Sequence, residues 1–142
     1  MIVLDTNVIS EWLRPYPSPT VTGWSESMVG QPVHTTAVTV GELRYGVDRL
    51  PDGRRKRELA ETVDSVLTRI GRDNVVPFDR GAAEMLGVIL VTREHMGRPI
   101  DLADAQIAAI CRSTGATLAT RNTADFEGLG LTLINPWGWT AD

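Results

Sequence analysis

Short, wholly apolar runs alternate along this chain with longer stretches in which apolar residues recur every three or four positions. Ile2-Val3-Leu4 is the first such run and stops at Asp5-Thr6-Asn7. That pattern predicts a buried strand, then capping residues and a short helix through about Leu13, stopped by Pro15. Pro19 opens a second helical pattern carrying Val21, Trp24 and Met28, and Val33 to Thr36 predicts the next strand. Val38 to Leu50 predicts a helix ended by Pro51-Asp52-Gly53. From Arg54 to Ile70, Leu59, Val63, Val66, Leu67 and Ile70 keep helical spacing, with Gly71 as the stop. Val75-Val76-Pro77 is a third short strand. Gly81 to His95 predicts a helix with Ala82, Leu86, Ile89 and Leu90 inward, and Asp101 to Thr114 another, ended by Gly115. Thr117 to Thr120 and Leu131 to Ile134 are the last strands. Short strands alternating with helices predict an α/β fold: a mostly parallel central sheet flanked by helices on both faces. Ligands of such sheets bind beyond the carboxyl ends of the strands.

Composition narrows the class. The 142 residues suit one domain spanning 1–142, and 42% hydrophobic with 23% charged residues is globular rather than disordered. One cysteine, Cys111, supports neither a disulfide framework nor a Cys-rich zinc site, and two histidines leave little for an imidazole site. Met85 to Val91 is the longest apolar run, far below the roughly 20 residues of a membrane span. Asp5 interrupts any signal-peptide pattern, so the expectation is a soluble cytoplasmic protein with no membrane contact. Lys+Arg total 14 against 18 Asp+Glu, a net charge of −4, so no overall basic field draws in nucleic acid. All basic residues except Lys56 are arginine. Biased base composition explains that; so does a need for bidentate phosphate contacts.

Four acids occupy positions that follow a strand or open the helix after one: Asp5, Glu42, Asp104 and Asp125. Each has a plain structural role open to it. Asp5 can cap the following helix, although Thr6 and Asn7 are also competent caps. Asp101 and Asp104 lie three apart on one helical face and complement the helix dipole. That face continues through Ala105 and Ala108, whose small side chains leave room for an ion, while Leu102, Ala103, Ile107 and Ile110 form the core side. Glu42 can be a solvated helix residue, and Asp125 a loop acid. Taken together, the four would meet at one edge of the sheet. Packed carboxylates repel unless a cation neutralises them. Oxygen ligands without a His or Cys cluster suit Mg2+ or Mn2+, the equipment of metal-assisted phosphoryl transfer. No phosphate-binding glycine loop and no Gly-x-Ser-x-Gly elbow compete. Cys111 falls inside a helix and reads as a small core residue.

The opening Met1-Ile-Val-Leu-Asp-Thr-Asn-Val-Ile-Ser-Glu11 resembles the start of PIN-domain ribonucleases. The resemblance continues through Thr39-Val-Gly-Glu-Leu-Arg-Tyr-Gly46 and Asp101-Leu-Ala-Asp-Ala-Gln-Ile-Ala-Ala109. It closes with Ala119-Thr-Arg-Asn-Thr-Ala-Asp-Phe126 and Ile134-Asn-Pro-Trp137. It covers essentially the whole chain and is closest to the VapC and FitB-like toxins of type II toxin–antitoxin modules. It implies a Mg2+- or Mn2+-dependent endoribonuclease acting on RNA. It also implies a homodimer and a cognate VapB- or FitA-like antitoxin through which operator DNA is reached. By the same resemblance Asp5 and Asp104 are the main metal ligands and Glu42 the third carboxylate. Relatives differ at the fourth position, some with an acid where Asn122 stands; the role is assigned to Asp125, with Asn122 a polar neighbour. Thr6 and Asn7 orient Asp5 and water, Asp101 is an extra acid, and Arg44, Arg112 and Arg121 are candidates to receive RNA phosphates. Trp12, Trp24 and the apolar positions of 54–70 serve the core or a partner surface. Two other readings stay open: a PIN-like binding module working mainly in an antitoxin–DNA repressor complex, and a metal-dependent phosphatase on a small substrate.

Overall fold

Ile2–Leu4 forms β1 and lies at the centre of the sheet, because its apolar residues have no polar face to leave toward water. The computed structural model describes residues 1–141; Asp142, the end of the expected domain, lies outside the described residues. Along the chain follow α1 (Thr6–Trp12), α2 (Pro19–Ser27), β2 (Val33–Thr36), α3 (Ala37–Asp48), α4 (Arg54–Ile70) and β3 (Val75–Val76). Then come α5 (Arg80–His95), α6 (Leu102–Thr114), β4 (Thr117–Ala119) and β5 (Thr132–Ile134). Short 3-10 turns occupy Arg72–Asn74, Thr123–Phe126 and Pro136–Gly138. Element ends differ from the sequence expectation by one or two residues, as fraying ends do.

The five strands are all parallel, in the order β3-β2-β1-β4-β5. Register explains the two cores. Val3 pairs with Leu118 and Leu4 with Ala119, and successive side chains on a strand point to opposite faces. Val3 and Leu118 accordingly join the cluster under α5 and α6, with Ile89, Ile107, Ile110 and Phe126. Leu4 and Ala119 join the cluster under α1 to α4, with Val8, Ile9, Trp24, Leu43 and Val63. Each large aliphatic side chain buried this way contributes about 1.5–3 kcal/mol.

Helix α6 corrects the sequence expectation. Ala105 and Ala108, expected on an open face, are fully buried, whereas Leu102, expected in the core, is 58% exposed. The helix is clamped between α5 and the sheet, so its buried arc takes in Ala105, Ile107, Ala108, Ala109, Ile110 and Cys111. The alanines allow close helix packing rather than room for an ion. Leu102 is the first residue of the helix and stands beyond that contact. Gly115 ends α6 in the left-handed region at φ 70°, which a side chain would strain. It turns the chain directly into β4.

Candidate active site

The carboxyl ends of β1 and β4 bring together residues far apart in the chain. Asp5 is the N-cap of α1, its Oδ1 accepting from the Thr6 N–H at 2.7 Å. Its Oδ2 accepts from Asn7 Nδ2 at 3.1 Å and from the Thr120 hydroxyl at 2.7 Å. Thr120 stands immediately after β4, and the β1–β4 pairing places it beside Asp5. The carboxylate is therefore both a cap and an oriented group at the sheet edge. Burial raises its pKa above the ordinary value. The hydrogen bonds from Thr120, the Thr6 amide and Asn7 oppose that rise, and the Glu42 charge adds to it.

Glu42 comes from α3, whose N-cap Thr36 follows β2. Its Oε1 accepts from the Thr6 hydroxyl at 2.7 Å, and the Thr39 hydroxyl lies 3.1 Å from the same Thr6 oxygen. Asp104 arrives from the first turn of α6. It is half-buried and pushed up to about 6 by burial and then by the charges of Asp5, Glu42, Asp101 and Asp125. Among the described residues no side chain donates a hydrogen bond to it. Asp104 is the carboxylate left with neighbours of its own sign and no compensating donor.

Asp5, Glu42 and Asp104 line one cleft of about 540 Å³ with Thr6, Asn7, Asn122 and Arg121. Asn122 is anchored by its N–H to the Thr120 hydroxyl at 3.1 Å. Asp125 is exposed on the 3-10 turn and stands outside this lining, as does Asp101, the N-cap of α6; both reach Asp104 through charge. Of the three candidate arginines, only Arg121 is at the cleft. Arg44 pairs with Asp64 on α4, and Arg112 lies in the last turn of α6, at the end opposite Asp104. Among the described residues, no three His, Cys, Asp or Glu side chains converge as a closed ligand set. Cys111 is buried and its thiol is pushed up to about 12 by burial, with a smaller effect of the Asp5 charge, so it offers no nucleophile.

Three cleft residues and one behind them escape a reading of the sequence for strand-end acids. Thr120, expected inside the strand 117–120, stands just past the end of β4 and behind Asp5. Glu11, only 5% exposed, is paired at 3.1 Å with Arg14, which also lines the cleft; in sequence both look like solvated helix-end charges. Trp137 lines the cleft from the 3-10 turn after β5.

A family model described as "PIN domain" matches residues 2–130, nine-tenths of the chain and every element that supplies the cleft acids. The chain belongs to the PIN-domain family. Among its relatives, the Toxin FitB of Neisseria gonorrhoeae is 38% identical over 137 residues, covering 96% of this chain and 99% of that one. The VapC ribonuclease Y4jK of Sinorhizobium fredii is 36% identical over 137 residues, covering 96% and 98%. The tRNA(fMet)-specific endonuclease VapC of Shigella flexneri is 33% identical over 104 residues, 72% of this chain and 73% of that one. Solved PIN-domain structures superpose closely. FitAB bound to an IR36 DNA fragment gives a TM-score of 0.90 at 36% identity, covering 99% of this chain and 98% of that one. FitAcB from Neisseria gonorrhoeae gives 0.88 at 37% identity, covering 98% and 100%.

Proposed function

We propose that this PIN domain is the toxin of a type II toxin–antitoxin pair, an endoribonuclease that hydrolyses RNA phosphodiester bonds with Mg2+ or Mn2+. The observation that carries the reading is Asp104: a half-buried carboxylate, raised to about 6, facing Asp5 and Glu42 with no donor to offset their charges. A divalent cation removes that repulsion. Oxygen donors alone suit a hard ion, and Mg2+ keeps several waters, so one or two direct carboxylates are enough without a closed set of three. Asp5 and Asp104 would hold it, Glu42 directly or through water, with Asp125 contributing charge from the rim.

When bound, the ion supplies a Lewis acid that lowers the pKa of water and neutralises charge on phosphate oxygens. The protein's part is orientation. Three donors fix both oxygens of Asp5, and the Thr6 hydroxyl fixes Glu42, so the acids lose little freedom on engaging a substrate. Arg121, exposed at the rim, supplies a planar donor for a phosphate oxygen.

The partners that fit are a second copy of the chain and a FitA- or VapB-like antitoxin, through which operator DNA is contacted. The relatives named FitAB and VapBC are solved as complexes, some with DNA. A groove of about 590 Å³ lined by Trp12, Pro17, Trp24, Met28, Val29 and Ile70 lies against α1, α2 and α4. Its apolar lining suits the amphipathic helix of such a partner.

The test is cleavage of total RNA by the purified protein with Mn2+, with Mg2+ and with EDTA. Cleavage with either ion that EDTA stops is the expected result. Undiminished cleavage in EDTA would falsify the metal reading. No cleavage under any condition, beside an intact antitoxin–DNA complex, would favour the binding module.

A further inference from the structure

Two side chains on the cleft wall have no part in holding a cation. Arg121 follows β4 by two residues, and Trp137 sits in the 3-10 turn after β5. The Arg121 guanidinium carbon lies over the Trp137 ring, 5.1 Å from its centroid. Both line the same cleft as Asp5, Glu42 and Asp104. Among the described residues Arg121 makes no ion pair, although four carboxylates share its cleft.

The backbone holds the pair in place. The Arg121 N–H donates to Asn7 Oδ1 at 3.2 Å, linking it to the residue that orients Asp5. The Trp137 N–H donates to Asn135 Oδ1 at 3.0 Å, and its indole packs against the core cluster under α1 to α4. Neighbouring strand ends are joined by the Thr120 N–H to the Ile134 carbonyl at 2.9 Å. A half-buried indole and an exposed guanidinium thus stand at a fixed offset from the acids.

Proteins hold unpaired bases by stacking them on aromatic rings and on arginine planes. A guanidinium layered over an indole presents its outer plane to a base and is backed by the ring, and the arginine charge favours the phosphate beside that base. We infer that Arg121 and Trp137 form a stacking subsite for a single unpaired nucleobase, that of the nucleotide adjoining the phosphate held at the acids. Because every base has a π-face, the subsite selects unpaired over duplex RNA rather than one base over another. The inference rests on the ribonuclease reading, but it concerns binding and needs no turnover.

The test measures binding with Ca2+ as the neutralising ion, by fluorescence anisotropy, of a short single-stranded oligoribonucleotide, the same strand as a duplex, and versions with an abasic residue walked along it. Trp137→Ala should weaken single-strand binding about tenfold, and Trp137→Phe less. One abasic position should weaken wild-type binding by a similar factor and cost Trp137→Ala nothing further. Should Trp137→Ala fail to fold, Trp137→Phe and Arg121→Gln carry the same coupling measurement. Independent, multiplying effects, equal losses for strand and duplex, or no single-strand binding at all would overturn the inference. So would variants that lose antitoxin binding while holding RNA normally. Coupling in a protein that cleaves nothing with Mn2+ would keep the subsite and sink the nuclease; cleavage without coupling does the reverse.

Discussion

Asp104 is the residue on which chemistry and stability pull in opposite directions. Its pKa rises from the ordinary 3.8 to about 6 on folding. Between those values the folded state binds more protons than the unfolded one, so stability falls as pH rises through the window. The contribution is fully present below pH 3.8 and lost above about 6. Asp104→Asn keeps the shape and removes the charge. In EDTA the variant should melt at the same or a higher temperature than wild type at pH 7, and its melting temperature should change less between pH 4 and 6. With Mn2+, wild type should gain stability and the variant much less, while cleavage falls steeply. A helix-terminus acid with no other role predicts the opposite: a loss of about 0.3–1 kcal/mol and normal cleavage. Running Asp101→Asn alongside separates the exposed cap from the half-buried carboxylate. In the proposed metal role Asp104 would bind protons and cation in competition, so Mn2+ affinity should also strengthen as pH rises through about 6.

At the scale of elements, the strands and helices were legible because each apolar run or helical period is uninterrupted, as in Ile2-Val3-Leu4 and in Leu59 to Ile70. The strand-end rule located Asp5, whereas Thr120 was expected inside its strand and stands just past it. What stayed hidden depended on contacts between elements. Arg93 is an example: on α5 it reads as a solvated charge, yet it is 3% exposed. Its guanidinium donates to the carbonyls of Arg98, Ala124, Asp125 and Glu127, and no acid pairs with it among the described residues. It therefore clamps the turn that carries Asp125 and leads from Asn122. Arg93→Met keeps much of the apolar stem but leaves those carbonyls without their donor. Each buried unsatisfied group costs about 1–3 kcal/mol, so a total loss of roughly 3 kcal/mol by urea unfolding is expected. Hydrogen exchange should quicken first over residues 121–129. Unchanged stability and protection would show that solvent already serves these carbonyls. The alanines of α6 were misplaced for a related reason: one-dimensional periodicity assumes a single buried face, and α6 has two, while Leu102 at its first position lies beyond both.

At the scale of the molecule, the acidic cleft and the apolar groove lie on different parts of the surface, sharing only the α1 region. Substrate and antitoxin surfaces should then be separable. Val29 is 82% exposed, lines the groove and has no place in the cleft lining. Val29→Asp should weaken antitoxin binding about tenfold, as charges in an apolar contact do, with RNA cleavage and melting temperature unchanged. Calorimetric titration with the antitoxin, beside the RNA assay, reads both. Equal affinity would remove the groove from the interface. Light scattering at micromolar concentration should give the dimer mass, twice 15.5 kDa.

The central position of β1 bears on synthesis. β1 is synthesised before the two strands that flank it in the finished sheet, β2 and β4, and Asp5 waits for Thr120, whose hydroxyl completes its set of donors. Asp104 too is encoded in the last third of the chain. A nascent polypeptide ending before about residue 120 therefore has an open sheet edge and no assembled cleft, and long-range parallel pairing is slow to close. The cleft can therefore assemble only after residue 120 has been made. The interval before that is when an antitoxin already present can meet the chain.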